Sequence, residues 1–259
     1  MKKLIILILV LIAGHQSFAY IQPADSAARQ TAVTQLPTNI DTLKRLIGIT
    51  NNDTLKSALY TQLATQYLNY NKLEGNTKRN FQAQALYYTY EALHLYSRMN
   101  DSVGLRTSFD DLTKVYRSQH NFIQAKWFAV QSNSLSRGLK DTPNILASLL
   151  VLANIKMDIK DYTLAMHDLN EALKLSKANH LPKDEAKIQD NYVLLYNRLK
   201  NYDKADLAAK RRDFINDSLL KDAQQLVAKT QDTLRVKKKL PTTSRKSTKT
   251  SSARKIASL

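Results

Sequence analysis

The chain has 259 residues, 39 Lys plus Arg against 22 Asp plus Glu, no Cys, five Gly and 43% apolar residues. Without cysteine it can form no disulfide framework, thiolate zinc site, iron–sulfur cluster or cysteine nucleophile, and its five glycines make no Gly-rich phosphate loop. The formal net charge of +17 is not spread evenly, and its distribution separates the ends of the chain from its middle.

Met1-Lys2-Lys3, an unbroken apolar run from Leu4 to Ala13, and the small residues Ser17 and Ala19 make a secretory signal peptide over 1–19, predicting cleavage between Ala19 and Tyr20. The greasy run is shorter than the roughly 20 apolar residues of a membrane span, so an uncleaved anchor is the weaker reading. With no cysteine after it, lipoprotein processing is excluded. The mature chain is expected to be periplasmic or secreted, with no membrane span after signal cleavage. Residues 20–53 form an N-terminal segment in which Asp41 to Ile49 is a possible capping helix.

Residues 54–232 repeat. Ala85, Ala125, Ala165 and Ala205 recur every forty residues, each followed ten residues later by Leu95, Leu135, Leu175 or Ile215. An aromatic stands three residues before the last three alanines (Phe122, Tyr162, Tyr202), preceded by Asn121, Asp161 or Asn201, and Val115, Ile155 or Leu195 lies ten residues before them. Four columns in register define a repeat architecture. Each period reads as two helices. Val103, Leu105, Phe109, Leu112, Val115 and Tyr116 keep one stripe inward over Asp101 to Gln119, with Asn100, Asp101 and Ser102 supplying cap chemistry. His120-Asn121 breaks the pattern, a second helix runs from Phe122 to about Arg137, and Gly138 is expected at a positive-φ position after it. Asp141-Thr142-Pro143 and Leu181-Pro182 open the next pairs, and Lys160-Asp161 and Lys200-Asn201 divide them. The first pair is less regular, with a helix over Thr54 to Tyr70, a break through Gly75, then Phe81 to Tyr96. The last helix extends from 203 to about 232.

These residues resemble the tetratricopeptide repeat (TPR). Leu152-Ala153-x-x-Lys156 followed by Tyr162-x-x-Ala165-x-x-x-Leu169-x-x-Ala172 is similar to that family's Leu-Gly-x-x-Tyr … Tyr-x-x-Ala-x-x-x-Phe-x-x-Ala consensus, and Leu112, Tyr116 and Ala125, then Tyr196 and Ala205, match it in neighbouring repeats. Departures are Thr113, Ala153 and Val193 at the consensus Gly, Lys156 at a consensus Tyr, the missing early Trp, and a period of forty where about 34 is usual. The longer spacing, and the stretch Asp213 to Leu220, resemble the extracytoplasmic TPR sensor regions of bacterial histidine kinases; the kinase domain that follows in those proteins is not found in these residues. The resemblance implies an all-α, right-handed α-solenoid of about four helix pairs, since one pair alone cannot bury its apolar face. It also implies that the first helices of the pairs line a concave groove for a protein or extended peptide. Mapped onto this chain, that groove presents Lys114 and Arg117, then Asn154, Met157 and Asp158, then Asp190, Leu194, Asn197 and Arg198. Solvated polar positions are the alternative for each. Tyr87, Tyr88, Tyr90 and Tyr96 stand at helical spacing, read as core packing in preference to an aromatic box.

The last segment, 233–259, reads as a disordered basic tail: from Arg235 onward it holds nine basic residues, nine Ser or Thr and no acid. Lys237, Lys238, Lys239, Arg245, Lys246, Lys249, Arg254 and Lys255 are its candidates for binding an envelope polyanion. An exported chain disfavours nucleic acid as the partner, and a merely solubilising tail is the other reading. Subtracting the tail's +9 and the signal peptide's +2 from +17 leaves +6 for 20–234. Asp-Ser/Thr followed by an apolar residue, at Ser26, Thr42, Thr54, Ser102, Ser218 and Thr233, resembles an O-glycosylation sequon of exported bacterial proteins, though N-capping accounts for several. None of His15, His94, His120, His167 and His180 has metal-ligand spacing to another ligand type, no nucleophile, base and orienter can be named together, and no cofactor is implied. The expectation is an exported binding module, not an enzyme, with a ligand-sensing or polyanion-binding protein anchored by its tail as the alternative.

Overall fold

The computed structural model describes residues 36–239, with side chains through 230. The signal peptide, its cleavage site and tail residues Arg245, Lys246, Lys249, Arg254 and Lys255 lie outside the described residues. Within them are nine helices and no strand: α1 (Ile40–Ile49), α2 (Asp53–Tyr67), α3 (Gly75–Arg98), α4 (Ser102–Ser118), α5 (Phe122–Gly138), α6 (Thr142–Asp158), α7 (Tyr162–Ala178), α8 (Pro182–Arg198) and α9 (Tyr202–Lys239). α1 packs on α2 as a cap, and α2/α3, α4/α5, α6/α7 and α8/α9 form four pairs, each helix also touching the next in sequence. This is a TPR-like α-solenoid.

The regularity comes from one turn used six times. α4 to α8 are each 17 residues long, separated by three-residue connections. The middle residue of each connection is left-handed: Asn100, His120, Lys140, Lys160, His180 and Lys200 have φ between 51° and 64°. That conformation closes the preceding helix, because the next N–H donates five residues back. Asp101 to Tyr96, Asn121 to Tyr116, Asp141 to Ser136, Asp161 to Lys156, Leu181 to Ser176 and Asn201 to Tyr196 are all 2.8 or 2.9 Å. At four of the six turns the donor residue then caps the following helix: the carboxylates of Asp101, Asp141 and Asp161 and the amide oxygen of Asn201 accept from the N–H of Gly104, Asn144, Leu164 and Lys204. Gly138, expected to hold positive φ, instead ends α5, and Lys140 takes the left-handed place. Asn39 and Asn52 cap α1 and α2.

A left-handed residue with a Cβ is strained where glycine is not. Lys160, exposed at φ 64°, is therefore a site of easy gain. Lys160→Gly is expected to stabilise by about 0.5–1 kcal/mol, net of the extra freedom glycine gives the unfolded chain, raising Tm by about 1–4 °C. Lys174→Gly, on the exposed side of α7, should lower stability by about 1 kcal/mol. Thermal melts of both variants test whether the turn or the residue type matters.

The repeating columns are the core. Ala85, Ala125 and Ala165 are fully buried, Ala205 is 5% exposed, and Val115, Ile155 and Leu195 are fully buried. Phe122 and Tyr162 pack between pairs against the Ala125/Ile155 and Ala165/Leu195 clusters, whereas Tyr202, with no further pair among the described residues, is 66% exposed. The tyrosines are packing elements: Tyr88 stacks on Tyr67 at 5.6 Å, Tyr90 shares a 2.9 Å hydrogen bond with Tyr116, and Tyr96 bonds Thr61; Tyr87 remains half exposed. Burial and the Tyr116 contact push the Tyr90 phenol well above its ordinary value.

Three boundaries differ from expectation. α2 ends at Tyr67 and not at Tyr70. α3 begins at Gly75, six residues before Phe81, because Gly-Asn-Thr-Lys-Arg-Asn adds exposed turns that leave no apolar pattern. α9 continues to Lys239, past the expected end at 232, so its range takes in Lys237, Lys238 and Lys239.

Candidate functional site

The first helices of successive pairs approach one another, α2 with α4 and α6 with α8, more closely than the second helices do. They therefore occupy the inside of the curve. The second helices are reached by long side chains, as in Arg137 of α5 with Glu171 of α7 at 2.6 Å. The inner face is the candidate site.

Three first helices meet there at one carboxylate. Asp158, at the end of α6, receives Arg117 Nε from α4 at 2.7 Å and Arg198 Nη2 from α8 at 3.1 Å, while Arg198 Nη1 donates to the Met157 carbonyl at 2.7 Å. Forty-residue spacing is what makes this possible, since equivalent ends of α4, α6 and α8 stack in line. The two guanidiniums are about one-third exposed and Asp158 is 17% exposed. One acid against two bases leaves the cluster with a net positive charge, and each planar guanidinium has further N–H donors beyond those engaged. One turn earlier, the Asn154 amide donates to Asn191 Oδ1 at 2.7 Å and to the Leu150 carbonyl at 2.8 Å. Leu194 beside them is 44% exposed, and Asn197 is exposed.

The α4 end of the face is more polar. Lys114 is 60% exposed and bonds Asp111 at 2.8 Å, while Asp110 accepts from Ser132 of α5 at 2.5 Å and lies 3.5 Å from Arg106. Burial raises both carboxyls above the ordinary carboxylate value, opposed at Asp110 by Ser132 and Arg106 and at Asp111 by Lys114.

Of the expected groove residues, Lys114, Arg117, Asn154, Asp158, Leu194, Asn197 and Arg198 are at least partly exposed on α4, α6 and α8. Met157 is a correction. It is fully buried in the cluster of Ala153, Leu169 and Leu195, because residue 158, one helical step of 100° on, takes the outward direction. Asp190, one turn before Leu194 on α8, is 55% exposed and pairs with Arg212 of α9 at 2.9 Å. Asn191 and Arg212 were not found by sequence reasoning. Only the forty-residue register, applied one position off the expected stripe, marks Asn191.

Among the described residues no group of three His, Asp or Glu is placed to hold a metal, and no helix is long and apolar enough to cross a membrane.

The fold and this inner face define a TPR-like helical-repeat protein. Among solved structures it is similar to a signal-transduction ATPase with numerous domains bearing a tetratricopeptide repeat sensor, from Pyrococcus horikoshii, at TM-score 0.58 and 21% identity over 69% of this chain. The match spans 27% of that ATPase. It is also similar to BtubC (BKLC) from P. vanneervenii, at TM-score 0.55 and 14% identity, over 75% of this chain and 72% of the other. No protein-family model matches the chain, and no curated protein matches it.

Proposed function

We propose that the chain is an exported, non-catalytic interaction module that holds a protein or extended peptide along the inner face of its solenoid. The observation that carries this reading is the cross-helix cluster Arg117–Asp158–Arg198 with Asn154, Asn191 and exposed Leu194 beside it. It combines fixed cations, amide groups and an apolar foothold on one rigid face, the mixture that captures peptide backbone and carboxylate groups. A TPR sensor in the similar archaeal ATPase supports a recognition role for such a face.

Peptide-library selection on residues 20–259 tests it. Enriched peptides should bind at moderate salt, lose at least about tenfold affinity with Leu194→Asp, and be unaffected by replacing Lys237, Lys238 and Lys239 with Ala. Absence of enrichment would sink the reading. Binding that requires the basic tail and disappears with salt would favour a polyanion-binding protein in its place.

A further inference from the structure

Asp158 breaks a local rule. It ends α6, where unsatisfied carbonyls carry partial negative charge and a carboxylate is disfavoured. The same position in the neighbouring first helices is Ser118 and Arg198, neither of them acidic. Such a departure inside a regular repeat marks a compensating contact, and here the compensation comes from both sides. Asp158 Oδ2 accepts from Arg117 Nε of α4 at 2.7 Å, and Oδ1 from Arg198 Nη2 of α8 at 3.1 Å. Arg198 Nη1 also donates to the Met157 carbonyl at 2.7 Å, so one guanidinium covers both the acid and the helix end. Ser118 is engaged differently, by the Gln82 amide of α3 at 2.9 Å.

Stability does not account for the arrangement. Ion pairs whose guanidiniums are about one-third exposed contribute little. What two directed bonds on one carboxylate do fix is geometry. A solenoid's curvature is the sum of small rotations between successive pairs, and the bonds at Asp158 draw α4 and α8 toward α6 along the inner edge. Arg117 has the longer reach, since the backbone of α4 lies farther from α6 than that of α8 does. On the outer side α5 and α7 are tied by Arg137 and Glu171, toward the other end of the helices. That tie is a pivot about which the inner edge can open.

We propose that Arg117, Asp158 and Arg198 form a clasp that sets the curvature of the second, third and fourth pairs, and with it the width of the inner face. The clasp concerns shape and holds whether or not the face binds a peptide. The absence of native cysteine allows spin labels to be placed singly or in pairs on residues 20–259. Thr65→Cys on α2 and Leu199→Cys just past α8 are exposed positions at the same end of their helices, about 30 Å apart at roughly 10 Å per step between first helices. Asp158→Asn keeps the side-chain shape and removes the charge. It should lengthen the distance measured by dipolar spectroscopy by about 2–4 Å, or about 1–2 Å for each of the two seams released. Arg117→Ala frees the α4 seam alone and should give about half that change. Arg137→Ala, which breaks the outer tie, should leave the inner distance as it is. Helical circular dichroism checks folding, and Arg117→Ala decides the matter if Asp158→Asn does not fold. A wild-type distance in a folded Asp158→Asn or Arg117→Ala protein overturns the proposal. So does equal lengthening in Arg137→Ala, which would make the change a general loosening of the repeats.

Discussion

Lys156→Ala is expected to cost about 3–5 kcal/mol, a third or more of the stability of an ordinary domain. Lys156 stands on α6 where the TPR consensus has a tyrosine, and its ammonium reaches Asp168 of α7 at 2.6 Å. Both residues are buried, at 9% and 5% exposure. Truncation leaves Asp168 inside the third pair with only the exposed His167 near it, at 3.8 Å. The loss comes from that orphaned carboxylate more than from the lost attraction. The double change Lys156→Met with Asp168→Leu should therefore be near neutral, or stabilising by about 1–4 kcal/mol. Urea denaturation of the three proteins decides it, and a double variant as weak as the single one would refute the argument. Because each pair in a solenoid contacts only its neighbours, hydrogen exchange in Lys156→Ala should quicken first in α6 and α7.

That pair illustrates what the sequence could and could not disclose. A column such as Val115, Ile155 and Leu195 is legible because burial on one face of a repeated helix imposes both residue type and spacing. The helix breaks were legible for the same reason, as short polar interruptions. Lys156, by contrast, reads as a surface residue until the position of Asp168 on the next helix is known. The turn chemistry misled at Gly138, since the six repeat turns fill their left-handed places with Asn, His and Lys, and the glycine at positive φ is Gly75, before the regular repeats begin. At the inner face the stripe was found but its edge was not. Residues 157 and 158 differ by a single helical step, and whether Met157 or Asp158 faces inward depends on the packing of α7 and α8 behind it. Asn191 was missed on the same account.

Gly104→Ala should destabilise although alanine is the better helix former. Gly104 lies in the first turn of α4, buried, with its N–H held by Asp101. A Cβ built there overlaps the ring of Tyr96, in the last turn of α3. Close approach of the two helices, set by the three-residue turn between them, is what requires glycine at this position. Tyr96 has little room to yield, being 9% exposed with its hydroxyl 3.1 Å from Thr61. Helix propensity favours alanine by up to about 1 kcal/mol, and overpacking of this kind costs about 1–3 kcal/mol, so the net change should be a loss. Gly48 and Gly138, where nothing lies within 4 Å of a built Cβ, should gain or stay level on the same substitution. Coupling settles the cause. If the ring is the obstacle, Gly104→Ala should be less harmful in a Tyr96→Leu background, giving an interaction energy of at least about 0.5 kcal/mol in the double-mutant cycle; strict additivity would mean that the loss arises in α4 itself and not at its contact with α3.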